Sequence, residues 1–132
     1  MSLKLVEAGA WLHVLSSFQV RNGLFDDDED AVDAYLDERD ADPFDCKWSS
    51  ANDALESLLE ALPAQVRDEV TQLQDRSREL FYLVVMKQTG SSELAAYASE
   101  DAGLVIGCLA LGHEDAFVLQ LHKAYESGEF PA

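Results

Sequence analysis

Apolar residues recur at helical spacing along most of this chain. Between Leu5 and Leu15, four of them stand three or four positions apart, which predicts an amphipathic helix over residues 3 to 20. The segment from Leu12 to Val20 also alternates apolar and polar positions, so a strand is the alternative there. Asn22 and Gly23 tolerate positive φ and predict a turn that ends either element.

The longest helical pattern covers residues 64 to 88. Its apolar stripe advances by steps of four and three residues, and Leu80 to Met86 is apolar all round, which predicts a helix central to the fold. Val84 and Val85 leave a buried strand as the weaker alternative for that part. Gly90 predicts the end of the helix. The stripe consists of Val66, Val70, Leu73, Ser77, Leu80 and Val84.

A shorter helix and a connector are predicted before it. Asp27 or Asp28 can cap a helix over residues 31 to 36, because a carboxylate accepts hydrogen bonds from free N–H groups at a helix start. Residues 40 to 48 are predicted to be a connector, because Pro43 disfavours helix in the residue before it.

Capping residues predict the other helices. Pro63, Gly112 and Gly128 mark three helix ends. Gly103 and Gly107 stand four positions apart in an apolar segment, which predicts close packing of two helices, with a homodimer through this helix as an alternative. The predicted starts are Ser50 or Asn52, Ser91 or Ser92, Ser99 with Glu100 and Asp101, and His113. The sequence therefore predicts a single all-α domain over residues 1 to 132 with five to seven helices.

Composition narrows the classes of function. A chain of 132 residues with 48% hydrophobic residues can bury a core without disulfides or metals. Its net charge of -17 argues against binding nucleic acid or an anionic membrane surface, both of which select clustered Lys and Arg. Cys46 and Cys108 lack the spacing of a metal or redox motif, and this use of cysteine predicts a reducing, cytoplasmic location.

The acids are concentrated between Asp26 and Asp45. Eleven of the chain's 26 acidic residues lie in these 20 positions, where Arg39 is the only base. Two like charges about 6 Å apart in water repel by about 0.7 kcal/mol, so this density opposes folding unless solvent, a cation or a basic partner relieves it. Helix capping explains part of the pattern, and the remainder is the strongest functional signal in the sequence.

A metal site is the first hypothesis for these acids. Asp26, Asp28 and Asp30 alternate as the first ligands of an EF-hand loop do. The match then fails, because Ala31 replaces the glycine of the turn and Asp37 replaces the bidentate glutamate. No cofactor or metal is therefore predicted.

Catalytic motifs do not stand out either. The chain has no GxSxG sequence and no phosphate-binding glycine loop, and Phe117 replaces the second histidine that HExxH requires after His113. Glu69 and Asp101 come closest to being acids inside an apolar helix face, and both also fit as flanking or capping residues. The sequence favours a protein without enzymatic activity but leaves that question open.

The leading hypothesis is a binding or regulatory protein, similar in kind to an inhibitor or immunity protein, that meets a basic protein partner through residues 26 to 45. Acids would steer the partner, and aromatic residues beside them would anchor it, although these aromatics could equally close the core. The alternative is a carboxylate-rich metal-dependent protein or enzyme. The predicted binding residues are Asp26, Asp27, Asp28, Glu29, Asp30, Asp33, Tyr35, Asp37, Phe44 and Trp48.

Overall fold

A computed structural model describes residues 4–21, 25 and 28–132. In this part of the chain there are six α-helices and no strand, which confirms the predicted all-α bundle. The helices are α1 (Leu5–Ser16), α2 (Glu29–Arg39), α3 (Phe44–Glu60), α4 (Ala64–Thr89), α5 (Ser92–Leu111) and α6 (Ala116–Glu126).

Helix α1 buries the side that its apolar spacing predicted. Ala8, Trp11, Leu12 and Leu15 lie in the core, and the helix ends at Ser16. It is therefore shorter than the predicted segment of residues 3 to 20, and the residues after it that are described form no strand. The predicted turn at Asn22 and Gly23 lies outside the described residues.

Helix α3 begins earlier than predicted. Residues 40 to 48 are not all connector, because α3 already starts at Phe44 and continues to Glu60. Pro43 has αR angles, with φ of -86° and ψ of -9°, and its carbonyl accepts a hydrogen bond from the Lys47 N–H. A proline at a helix start loses no helical hydrogen bond, so it begins this helix rather than preventing it. The predicted caps at Ser50 and Asn52 are wrong, since both lie inside α3.

Helix α4 confirms the predicted helix near residues 64 to 88 and packs along α5. It ends at Gly90, whose φ of 69° is the left-handed value of a glycine C-cap. The segment from Leu80 to Met86 is not enclosed on all sides: Phe81 and Val85 are buried, but the Leu83 side chain is 61% exposed. A helix on the outside of a bundle buries one stripe, and Leu83 lies off that stripe.

Helix α5 is one continuous element and the most buried helix of the described chain. Ser91 caps it by accepting a hydrogen bond from the Leu94 N–H. The predicted new cap at Ser99, Glu100 and Asp101 is wrong, because the Ser99 hydroxyl instead donates to the Ala96 carbonyl within the helix. By length and composition α5 could span a membrane, but 78% of its most apolar window is buried inside the protein, as in the core helix of a folded domain.

The two glycines of α5 confirm the prediction of close helix packing. A Cβ at Gly103 would lie 2.6 Å from Nε of Arg78, and a Cβ at Gly107 would lie 2.6 Å from Cδ2 of Leu55. Gln74 of α4 donates to the Gly103 carbonyl across this contact. Because α3 and α4 of the same chain cover these glycines, they offer no free surface for the homodimer that the spacing left open.

The C-terminal segment packs back onto the core. Asp115 caps α6 by accepting from the Val118 N–H, so the predicted start at His113 is wrong. Gly128, with φ of 75°, turns the chain after α6, and Phe130 is then buried against the Phe18 and Tyr125 rings. This packing closes the end of the bundle beside α2.

Candidate functional site

The acidic segment lies on the outside of the bundle. All nine of its acidic residues within the described chain are exposed. We call this surface the acidic face. Asp26 and Asp27, which were also predicted to bind a partner, lie outside the described residues. The acidic face consists of Asp28, Glu29, Asp30, Asp33, Asp37, Glu38, Asp40, Asp42 and Asp45.

The negative charge of the acidic face is not neutralised from within the described chain. None of its nine acids forms an ion pair with another described residue. Arg39, the only base between Asp26 and Asp45, has its side chain turned inward and is 7% exposed. The structure therefore removes from this surface the one cation that the local sequence supplies.

Helix stability accounts for only some of these acids. Asp28 is the N-cap of α2, and its Oδ1 accepts from the Asp30 N–H at 2.9 Å. Carboxylates here complement the positive end of the helix dipole. Asp37 and Glu38 lie in the last turn and Asp40 at the C-cap, where the dipole end is negative and carboxylates are unfavourable. These C-terminal acids therefore need an explanation other than helix formation.

Like charges also repeat along one edge of α2. Glu29, Asp33 and Asp37 stand four residues apart and lie on the same side of the helix. Each such pair of like charges destabilises a helix by about 0.2–0.5 kcal/mol. Leu36 and Arg39 hold the helix on the core along the stripe next to these acids. Packing thus supports an arrangement of charge that local electrostatics opposes.

The three predicted anchor aromatics lie beside the acidic face and are half-buried. The Tyr35 hydroxyl donates to the Pro131 carbonyl, and the Phe44 ring meets the Phe117 ring at a centroid distance of 5.1 Å. The Trp48 indole N–H donates to Asp101. All three side chains therefore help to close the core while each keeps part of its surface in solvent.

Below the acidic face lies the buried carboxylate of Asp101, one of the two acids that the sequence placed closest to an apolar helix face. Asp101 is completely buried, not a cap, and two N–H groups of Arg39 donate to its two oxygens at 2.6 and 2.8 Å. Trp48 donates to the same carboxylate at 2.9 Å, and the Tyr125 hydroxyl is a further donor. A buried carboxylate is tolerated only when it is paired and hydrogen-bonded in this way. One side chain thus joins α2, α3, α5 and α6.

The environment of this carboxylate shifts the pKa values of its donors. Burial raises the pKa of Tyr125 well above its ordinary value, and the negative charge of Asp101 adds to that shift. Burial alone would lower the pKa of Arg39, but the charge and hydrogen bonds of Asp101 outweigh it and raise that pKa. Burial also raises the pKa of Tyr35. Asp101 and Arg39 therefore form a buried ion pair, and the hydroxyls of Tyr35 and Tyr125 beside it stay neutral at neutral pH.

Among the residues that the structure describes, we looked for a metal site, a reactive cysteine and a catalytic carboxylate. Within these residues, no three His, Cys, Asp or Glu side chains are grouped so as to hold a metal ion. Cys108 is buried, and burial raises the pKa of its thiol to about 12, so the reactive thiolate is suppressed. Glu69 is exposed near the start of α4, as a flanking residue would be.

Comparison with known proteins identifies the family. The model of the family described as Immunity protein PIM1 matches residues 12–132. Because the match covers most of the chain, the chain belongs to this family. No curated protein matches the sequence. Family membership supports an inhibitor or immunity role, in which the chain binds a partner protein, a toxin.

Proposed function

We propose that this member of the Immunity protein PIM1 family neutralises a toxin by binding a basic surface of it through the acidic face. The single observation that carries this proposal is that the nine acids of this face are exposed without ion pairs in the described chain, while Arg39 is paired internally with Asp101. Family membership supports the kind of role. The charge supports the place where the partner binds and the basic character of its binding surface.

The physical argument starts from the free protein. A net charge of -17 repels other acidic macromolecules and accelerates encounter with basic ones. The acids at the C-terminal end of α2 are unfavourable in isolation and become favourable once a partner supplies cations. The half-buried edges of Phe44 and Trp48 add apolar contact next to the charges. The two free cysteines agree with the reducing, cytoplasmic location that the sequence predicts.

The test compares two triple variants against the cognate toxin. In the first, Asp33→Asn, Asp37→Asn and Glu38→Gln remove three charges from the acidic face. In the second, Glu60→Gln, Asp68→Asn and Glu69→Gln remove three exposed charges around the turn between α3 and α4. Glu60 is 16 residues along α3 from Phe44, which corresponds to about 24 Å.

Titration calorimetry at about 50 and 200 mM salt should give a clear difference between the variants. We expect the first variant to bind at least tenfold more weakly at low salt and to lose much of the salt dependence. The second variant should change affinity by less than about threefold. Equal losses of affinity in both variants, or an affinity that does not depend on salt concentration, would show that the acidic face does not direct recognition.

A further inference from the structure

A pocket of about 290 Å³ opens at the C-terminal end of the acidic face, between α2, the first turns of α3 and the middle of α5. Its walls combine aromatic rings with carboxylates. We call it the α2–α3–α5 pocket. It is lined by Arg39, Asp40, Phe44, Asp45, Trp48, Ala96, Tyr97 and Glu100.

The walls of this pocket are held in place before any partner arrives. The Tyr97 hydroxyl donates to Oδ1 of Asp40 at 2.7 Å, a hydrogen bond that raises the pKa of Tyr97 and fixes one side of the rim. The Trp48 ring is held from below by its hydrogen bond to Asp101. Pre-ordered walls reduce the entropy lost when a ligand side chain enters.

The charge of the pocket selects a cation. Asp40, Asp45 and Glu100 stand exposed around it, and Glu100 has only a distant contact of 3.8 Å with Nε of Arg78. Arg39 is the only base in the lining, and Asp101 already neutralises it. The neighbouring pocket of about 320 Å³ differs, because Lys47 is exposed in its lining and opposes a second cation.

The aromatic walls favour a flat cation. Within the same pocket, the Arg39 guanidinium already lies over the Phe44 ring at 4.5 Å and over the Tyr97 ring at 5.3 Å. One face of each of these two rings is therefore already in contact with a guanidinium. Guanidinium is planar, weakly hydrated and able to bond carboxylates at two points, whereas the lysine ammonium is compact and strongly hydrated.

We propose that the α2–α3–α5 pocket receives an arginine side chain of the toxin, with its guanidinium against Trp48 and Tyr97 and its N–H groups donating to Asp45 and Glu100. This inference rests on the proposed function, to which it adds a central anchor for the partner. Anchors of this kind, a residue such as arginine in a desolvated pocket, supply a large share of interface energy.

The pocket can be tested without the toxin. The probe is N-acetyl-arginine amide, and its neutral counterpart is N-acetyl-citrulline amide. The protein has two tryptophans, so its ¹H–¹⁵N spectrum contains two indole signals. Trp48 lines the pocket, whereas Trp11 is buried against His122 and serves as an internal control. We expect a saturable shift of the Trp48 signal with the arginine probe, little shift with citrulline, and no shift of Trp11.

A charge variant makes this result specific. Asp45→Asn with Glu100→Gln should weaken arginine binding at least threefold, whereas Glu60→Gln with Asp68→Asn should leave it unchanged. Since all four residues are exposed, we expect both variants to keep the melting temperature of the parent. Absence of a Trp48 shift, equal shifts with both probes, or the same affinity in both variants would overturn the pocket assignment.

Toxin binding then separates this inference from the proposal it rests on. If the Asp33, Asp37 and Glu38 variant weakens the complex and the Asp45 and Glu100 variant does not, the acidic face stands and the pocket is refuted. If neither variant weakens the complex, both proposals fail. A loss of at least tenfold from the two pocket substitutions would support the arginine anchor.

Discussion

Asp101 and Arg39 form a two-point ion pair in the interior of the bundle, with N···O distances of 2.6 and 2.8 Å. The pair connects the middle of α5 to the last turn of α2, across 62 positions of sequence. It has two consequences. It fixes α2 on the core, and it withdraws the only base of the acidic segment from the surface.

Replacing Asp101 should destabilise the protein strongly. Asp101→Asn keeps the shape of the side chain but leaves the buried Arg39 guanidinium without a counter-charge. Breaking one side of a buried pair costs about 3–5 kcal/mol. Urea unfolding followed by circular dichroism would measure the free energy of unfolding.

Two further variants are the controls for that effect. Trp48→Phe removes one hydrogen bond to the same carboxylate and should cost about 1.5–3 kcal/mol. The double variant Arg39→Met, Asp101→Asn removes both charges and leaves an amide oxygen for the Trp48 and Tyr125 donors, so it should be more stable than Asp101→Asn alone. A double variant less stable than Asp101→Asn would mean that the charge pair is not what the single substitution disturbs.

The two glycines of α5 should respond differently to alanine. At Gly107 a new methyl group would press on Leu55 and Gln74, both buried, so Gly107→Ala should cost about 1–3 kcal/mol. At Gly103 it would meet only the end of the Arg78 side chain, which can move aside. Gly103→Ala should therefore be neutral or stabilise by up to about 1 kcal/mol through helix propensity. Thermal melts of the two variants measure the difference, and equal losses would contradict it.

Alkaline pH should unfold the protein through its buried thiol and phenols. Burial raises the pKa of Cys108 from 9.0 to about 12, so the folded state keeps a proton that the unfolded chain releases. The contribution to stability is complete below pH 9 and is lost as pH rises towards 12. Tyr125, whose pKa burial also raises, adds to the loss above pH 10.

Chemical denaturation between pH 7 and 11 would follow this loss. Each such group contributes a slope of up to about 1.4 kcal/mol per pH unit. Cys108→Ala should reduce the slope above pH 9, whatever it does to stability at pH 7. An unchanged slope in Cys108→Ala would assign the alkaline loss to other groups.

Phe130 should be as important to stability as a residue of a helix core. Its ring packs against Phe18, Tyr35 and Tyr125, with centroid distances of 5.7, 6.3 and 6.1 Å. Phe130→Ala should cost about 3–5 kcal/mol, the usual loss for a buried phenylalanine. Leu119→Ala, at a residue that is 48% exposed, is the matched control and should cost much less. Equal effects in denaturant titrations would mean that the C-terminal segment does not hold the bundle.

Only part of the α2–α3–α5 pocket could be predicted from the sequence. The sequence placed Tyr35, Phe44 and Trp48 beside the acids because they are near in the chain. Tyr97 and Glu100, which complete the α2–α3–α5 pocket, lie on α5 and come near Phe44 only through folding. No local sequence pattern shows that the acidic segment packs against α5. The sequence therefore could not identify Tyr97 and Glu100 as pocket residues.

The sequence by itself determined the helical class, the α4 segment, the close packing at Gly103 and Gly107, and the concentration of acids in one exposed segment. These follow from apolar periodicity, glycine spacing and composition, which act over a few residues. Only the tertiary structure decided that α5 continues past Ser99, that α3 begins at Phe44, and that Asp101 is a buried partner of Arg39. A serine, a proline or an aspartate can either begin a helix or lie within one, and the packing of distant elements selects between these outcomes.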